Sequence, residues 1–323
     1  MTVDAASVEL FSKLTAGGKK PVAERTPAAA RADMRRLLRL LGPGPEMARV
    51  KEVTVPGGPS DLPARLTEPE GGPAGLILYL HGGGWVCGSI EIFDPLARCL
   101  AAATRCAVLS VGYRRAPESP YPGPVDDAWA ALQWAATASA ELLNAELPLM
   151  VAGDSAGANL AIATTLRARE RGGPRIDGQL LIYPITDSDL STSSYLDPAN
   201  QLMLTREVMS WYWDQYLPDP ARRSEPEASP LRAHDLTGLP PAVVITAERD
   251  VLRDEGEAYA KALAKAGVPV AHRRFNGQMH GFLMMVDLLP GSAEGFEYLR
   301  SVVPDLFLRP DLASGKGVLN RVR

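Results

Sequence analysis

Short apolar runs recur along this chain at 75–80, 106–113, 147–153, 179–183, 242–247 and 270–275, each followed by a helical pattern. Two of those helices are plain in the spacing: 125–142 sets Ala128, Trp129 and Leu132 on one face, and 253–266 stops at Gly267. Alternation of this kind predicts an α/β protein with a mostly parallel central sheet, its strands apolar throughout because helices cover both faces. Residues 49–66 break the pattern. They alternate about Gly57-Gly58-Pro59-Ser60-Asp61, which predicts an antiparallel hairpin at the sheet edge. Ahead of it, 6–16 and 28–41 read as amphipathic helices, the second with Met34, Leu37, Leu38 and Leu41 at helical spacing. One connection is long: nearly sixty residues separate the run ending at Tyr183 from the one starting at Ala242. It contains an aromatic helix with Met209, Trp211, Tyr212, Trp213 and Tyr216, and a long ordered insertion is usually a lid or binding element.

Composition narrows the partners. The 323 residues suit one large α/β domain with an attached lid, and the formal charge of −4 leaves no electrostatic footprint for nucleic acid or an anionic membrane. Three cysteines, Cys87, Cys99 and Cys106, are odd in number and lack metal-ligand spacing, so neither a disulfide framework nor a metal site is expected. The first twenty residues carry Asp4, Glu9 and Lys13 in place of an apolar core, and no later stretch is apolar enough to span a bilayer. A cytoplasmic location without membrane insertion is the expectation.

The chemistry concentrates in two loops. Residues 149–157 run from an apolar strand through Gly153-Asp154-Ser155-Ala156-Gly157 into a helix at 158–170, and this G-x-S-x-G turn pushes a serine into solvent above the sheet. The helix N-terminus there favours developing negative charge. His81-Gly82-Gly83-Gly84-Trp85 follows the run at 75–80, and its glycines let backbone N–H groups face a cavity where a carbonyl oxygen becomes an oxyanion. No Walker lysine or G-x-G-x-x-G competes with that reading. The N–H groups of Gly83, Gly84 and Ala156 are the expected donors.

Four histidines leave a short search for a general base. His81 belongs to the glycine loop, His234 to a Pro-rich surface stretch and His272 to a strand pattern. His280 lies in the loop after the last strand, where the final member of a Ser, Asp, His order belongs. The acid falls after the run at 242–247: Asp250 is preferred over Glu248, too near the strand end, and over Asp254, placed in a first helical turn.

Together these residues resemble the hormone-sensitive lipase family of bacterial carboxylesterases, in its Gly-Asp-Ser-Ala-Gly subgroup. The match runs over about 76–282, through His81 to Trp85, Tyr113-Arg114-Arg115-Ala116-Pro117-Glu118, Gly153 to Asn159, Ser229-Pro230-Leu231, Asp250 with Leu252-Arg253-Asp254-Glu255-Gly256, and His280-Gly281-Phe282. The resemblance implies an α/β-hydrolase fold, with N-terminal cap helices at 1–45 and a core at 46–323 that holds a cap insertion at about 187–217. It implies a Ser155, Asp250, His280 triad and an oxyanion hole of Gly83, Gly84 and Ala156. Gly112, Val251 and Arg115 depart from the family, which commonly has Asp, Pro and an apolar residue at those places. The expected activity is hydrolysis of short- to medium-chain acyl esters through an acyl-enzyme, without cofactor or metal. The partner is a small-molecule ester, with a homodimer left open. Lactone hydrolysis, acyl transfer or elimination on a natural-product intermediate are the rivals within enzymology, since one fold hosts many reactions. A ligand-binding receptor on a dead hydrolase scaffold is the rival outside it, disfavoured because Ser155 and His280 are both present.

Overall fold

The computed structural model describes residues 3–16, 24–57 and 59–307. Gly58 of the expected hairpin turn and residues 1–2, 17–23 and 308–323 of the expected cap and core segments lie outside the described residues. Strands β1 (Arg49–Val55), β2 (Leu62–Glu68), β3 (Leu76–Leu80), β4 (Ala107–Val111), β5 (Leu149–Asp154), β6 (Gly178–Ile182), β7 (Ala242–Arg249) and β8 (Val270–Met279) form one sheet, in the order β1-β2-β4-β3-β5-β6-β7-β8. The hairpin β1–β2 pairs Arg49 with Glu68 and Val55 with Leu62, and β2 runs antiparallel to β4. The remaining neighbours are parallel.

The parallel strands are apolar on both faces because helices cover both. Leu76, Leu78 and Leu80 of β3 join a core that includes Ala128 and Leu132 of α4 (Gly123–Leu143), Leu160 of α5 (Ala156–Arg171) and Tyr259 of α8 (Arg253–Lys265). Ile77 and Tyr79, alternating with them, join a second core with Phe93 and Leu100 of α3 (Ile90–Thr104) and Leu299 of α9 (Pro290–Phe307). The chain leaves β3 for β4 on one side and later adds β5 on the other. The loops after β3 and β5 therefore meet at a topological switch point, the usual place for a ligand crevice in an open α/β sheet.

Two segments lie over that crevice. At the N-terminus, α1 (Ala5–Thr15) is capped by Asp4, whose side chain accepts from the Ala6 and Ser7 amides, and α2 (Pro27–Arg35) is capped by Thr26. The second helix is shorter than its periodicity predicts. It tightens into a 3₁₀ turn at Arg36–Arg39, so that Leu37 is buried while Leu38 stays exposed, contrary to the single apolar face expected. Arg31 fastens α2 to the core: its guanidinium donates to the Val86 and Ala116 carbonyls at 2.8 and 2.9 Å and pairs with Glu118. The second segment, between β6 and β7, carries the one-turn helix α6 (Ser193–Leu196) and α7 (Arg206–Tyr216), the aromatic helix expected there. Tyr216 stacks on Trp85 with ring centroids 4.1 Å apart and planes 4° from parallel. Among the described residues no helix is long and apolar enough to cross a membrane.

Candidate active site

Ser155 stands at the end of β5, in the one-residue turn before α5. Its backbone has φ 54° and ψ −119°, a conformation that costs an L-residue on the order of 1–3 kcal/mol and survives only where the surroundings over-determine it. Here the Ser155 amide donates to the Ile182 carbonyl at 2.8 Å, and the Ser155 carbonyl accepts from the Asn159 amide at 3.1 Å. The helix can follow so closely because of Gly157, where a Cβ would sit 1.9 Å from the Leu80 carbonyl oxygen. The sharp turn lifts the hydroxyl above the sheet edge.

Two residues from two further strand ends line up behind that hydroxyl. His280 Nε2 is 3.1 Å from Ser155 Oγ, and His280 Nδ1 is 2.7 Å from Asp250 Oδ2. With the proton on Nδ1, the ring donates to the carboxylate and its Nε2 accepts from the serine. Asp250 is buried, and its Oδ1 accepts the Leu252 amide at 3.0 Å, which fixes the carboxylate. Val251, where the family commonly has Pro, leaves this geometry intact. β8 reaches Met279, beyond the 270–275 expected, so His280 follows the strand directly rather than sitting in a loop. A register shift between Ala247 and Arg249 of β7 absorbs Asn276 and Gly277, which lie beyond the expected strand.

The rivals are occupied elsewhere. Glu248, still within β7, accepts the Gly277 amide at 2.7 Å. Asp254, in the first turn of α8, accepts the Ser194 amide at 2.7 Å, and its neighbour Glu255 accepts the Thr186 amide at 2.7 Å. That acidic stretch anchors the chain as it leaves β6. Burial pushes the Glu255 carboxyl well above the usual range. His234 is exposed, and His272 is 3.0 Å from Thr246 Oγ1, away from the serine. His81 is buried between Tyr113 and Phe93, with centroids at 4.4 and 5.6 Å. Burial lowers it to about 4, so it is a neutral structural ring.

The glycine loop after β3 lies beside Ser155. Gly83 and Gly84 take φ of +115° and +60°, and a Cβ on Gly84 would lie 2.3 Å from the Tyr212 ring. No described residue accepts the backbone N–H groups of Gly83, Gly84 or Ala156. The loop is braced from below by Asp154, whose Oδ1 accepts the Tyr79 hydroxyl at 2.6 Å and the Gly82 amide at 2.8 Å. Burial raises this carboxyl to about 6. Trp85 braces the loop from the side, donating its indole N–H to Asn159 at 3.3 Å. Arg115 donates to the Gly88 carbonyl, so this cation holds the far end of the loop.

Sequence reasoning missed three of these contributors. Asp154 lay inside the serine motif, and only the pairing of β3 with β5 reveals its bracing role. Tyr183 has φ 35° and packs its ring 4.7 Å from His280, with nothing in the sequence to announce it. Arg25 lines the cavity beside Ser155 and stood in no motif.

Residues 77–284 match a family model described as alpha/beta hydrolase fold. Carboxylic ester hydrolase LipN of Mycobacterium tuberculosis (strain ATCC 25618 / H37Rv) is 40% identical over 284 residues, which is 85% of this chain and 75% of that protein. Carboxylesterase NlhH of the same strain is 40% identical over 266 residues, 80% of this chain and 83% of that protein. The chain belongs to the hormone-sensitive lipase family. Among solved structures, a hyperthermophilic esterase from the archaeon Pyrobaculum calidifontis superposes with a TM-score of 0.88 at 35% identity, covering 96% of this chain and 100% of that one. As a hormone-sensitive lipase family member the chain has the α/β-hydrolase fold, and its strand ends carry the Ser155, His280 and Asp250 chain described above.

Proposed function

We propose that this carboxylic ester hydrolase acts through an acyl-enzyme on Ser155. The observation that carries the reading is the continuous hydrogen-bonded line from Ser155 Oγ through His280 to Asp250, set beside unaccepted N–H groups of Gly83, Gly84 and Ala156. His280 Nε2 takes the serine proton as Oγ attacks the ester carbonyl, and Asp250 orients and stabilises the imidazolium. The carbonyl oxygen, now an oxyanion, accepts the Gly83, Gly84 and Ala156 amides. His280 then protonates the leaving alcohol. Water, deprotonated by the same imidazole, releases the acid and restores the serine.

The substrate is a short- to medium-chain acyl ester. A cavity of about 120 Å³ opens beside Ser155 and His280, small against the several hundred Å³ of a drug-sized site. Met34 and Leu37 come to it from the N-terminal segment, and Met203, Leu204 and Met209 from the insertion. This arrangement supports a cap of residues 1–45 and 187–217 over a core at 46–323.

Hydrolysis of p-nitrophenyl acetate through p-nitrophenyl palmitate by the wild type and by Ser155→Ala tests the reading. The wild type should favour the short end. The variant should fold normally and lose turnover by several orders of magnitude, keeping only what the oxyanion hole and binding supply. Wild-type-like turnover in Ser155→Ala would remove the mechanism.

A further inference from the structure

Arg25 precedes α2 and shares the catalytic cavity with Ser155, His280 and Tyr212. Its guanidinium carbon lies 5.3 Å from the Trp211 ring centroid and 5.8 Å from that of Tyr212. At these distances the cation is within reach of both ring faces. One of its donors interacts with Tyr212, and the other N–H bonds lie in the guanidinium plane, pointing outward from its edge. Among the described residues the buried Arg25 Nε finds no acceptor, and no carboxylate pairs with this side chain.

The surroundings make that arrangement unusual. Among the described residues Asp154 is the one carboxylate in the cavity wall, and its Oδ1 is already committed to Tyr79 and Gly82. Much of the remaining wall is apolar, with Met34, Met203, Leu204, Met209, Met284 and Met285. A cation with a buried Nε that finds no acceptor and no carboxylate partner in such a wall is incompletely compensated, and an anion arriving with a ligand would complete it by charge-assisted hydrogen bonds. The contrast with Arg31 is instructive. That arginine, six residues on, spends its donors on two carbonyls and a carboxylate and serves as a fastener.

Resting on the esterase reading above, we infer that Arg25 selects esters bearing a carboxylate within a few bonds of the scissile carbonyl, as in half-esters of short dicarboxylic acids. The small cavity sets the short reach. Arg25 is a specificity residue for the hydrolysis, with no part in the proton transfers.

The test compares kcat/KM for anionic esters and their uncharged isosteres, in which isopropyl replaces carboxylate. Monomethyl succinate is set against methyl 4-methylpentanoate, monomethyl glutarate against methyl 5-methylhexanoate, and acetoxyacetate against isobutyl acetate. The last pair moves the charge to the alcohol side. In at least one pair, the anionic-to-neutral ratio should fall about tenfold or more in Arg25→Gln, mainly through KM, and recover in part in Arg25→Lys. Ratios unchanged by Arg25→Gln in all three pairs, or an equal loss on both members of each, would overturn the inference and leave Arg25 as a stacking strap. A wild-type measurement covers the case in which the variants do not fold. Glutarate should inhibit p-nitrophenyl acetate hydrolysis competitively at a concentration at least about tenfold below glutaramide, and equal inhibition overturns the inference. Absence of wild-type turnover on p-nitrophenyl acetate would instead remove the esterase reading on which it rests.

Discussion

Replacing Asp154 by Asn should make the protein more stable at neutral pH while making it a poorer catalyst. The carboxyl is almost fully buried, and burial raises it from 3.8 to about 6. At 1.36 kcal/mol per pH unit, that difference corresponds to a penalty on the ionised form of about 3 kcal/mol. The sign follows from proton linkage. Between 3.8 and about 6 the folded protein keeps a proton that the unfolded chain has released, so stability is greatest below 3.8 and falls as pH rises. The whole penalty is in place above about 6. Asn cannot ionise, yet its Oδ1 can still accept the Tyr79 hydroxyl and the Gly82 amide that meet the native Oδ1. Part of the penalty is already present at pH 4.5, so from pH 4.5 to 7.5 the stability difference should move by about 2 kcal/mol in favour of Asn. Urea denaturation of both proteins across that range measures it, and the other titrating groups cancel in the difference. Turnover should fall, because the variant removes a negative charge that interacts favourably with a protonated His280. A difference that stays flat with pH, or moves in favour of Asp, would refute the reasoning.

Asp250→Asn should lower turnover by about 10⁴, as the loss of the correct imidazole tautomer does in a well-studied triad, whereas Glu248→Gln and Asp254→Asn should cost little turnover. For Asp254→Asn the cost should appear instead in thermal unfolding, about 1 kcal/mol from a weakened helix-end charge and Ser194 contact. Gly157→Ala should fail to yield folded protein, since its Cβ would meet the Leu80 carbonyl oxygen at 1.9 Å, and soluble native-like expression would contradict the packing of α5 on β3. Met34→Ala and Leu37→Ala should widen the cavity and shift preference toward longer acyl chains, and an unchanged chain-length profile would contradict their place in its wall.

The parts of the site legible in the sequence are those fixed by local spacing. Ser155 follows from strand, G-x-S-x-G and helix in immediate succession, and Gly83 and Gly84 from a glycine run behind an apolar strand. Asp250 could be separated from Glu248 and Asp254 because the three occupy different steps of one strand-to-helix passage. Contributors set by tertiary pairing left no local trace. Asp154 braces Gly82 only because β5 lies next to β3, and Arg31 reaches Glu118 across 87 positions of chain. Tyr183 depends on a left-handed backbone that a tyrosine rarely adopts. Periodicity also misplaced the end of α2, because a helical wheel assumes 3.6 residues per turn and the chain tightens at Arg36–Arg39.

The position of β8 at the sheet edge has a kinetic consequence. His280 follows this strand and meets Ser155 across 125 positions of chain, and among the described residues β8 has β7 as its sole strand neighbour. Contacts so distant in sequence form late, after the local helices and after each parallel pairing from β5 outward has closed its loop. During refolding from denaturant, the helical circular-dichroism signal should therefore return before activity does. The order reverses under stress. Edge pairings open at a smaller free energy than the central strands, so peeling β8 from β7 would silence the enzyme while most of its core remained closed.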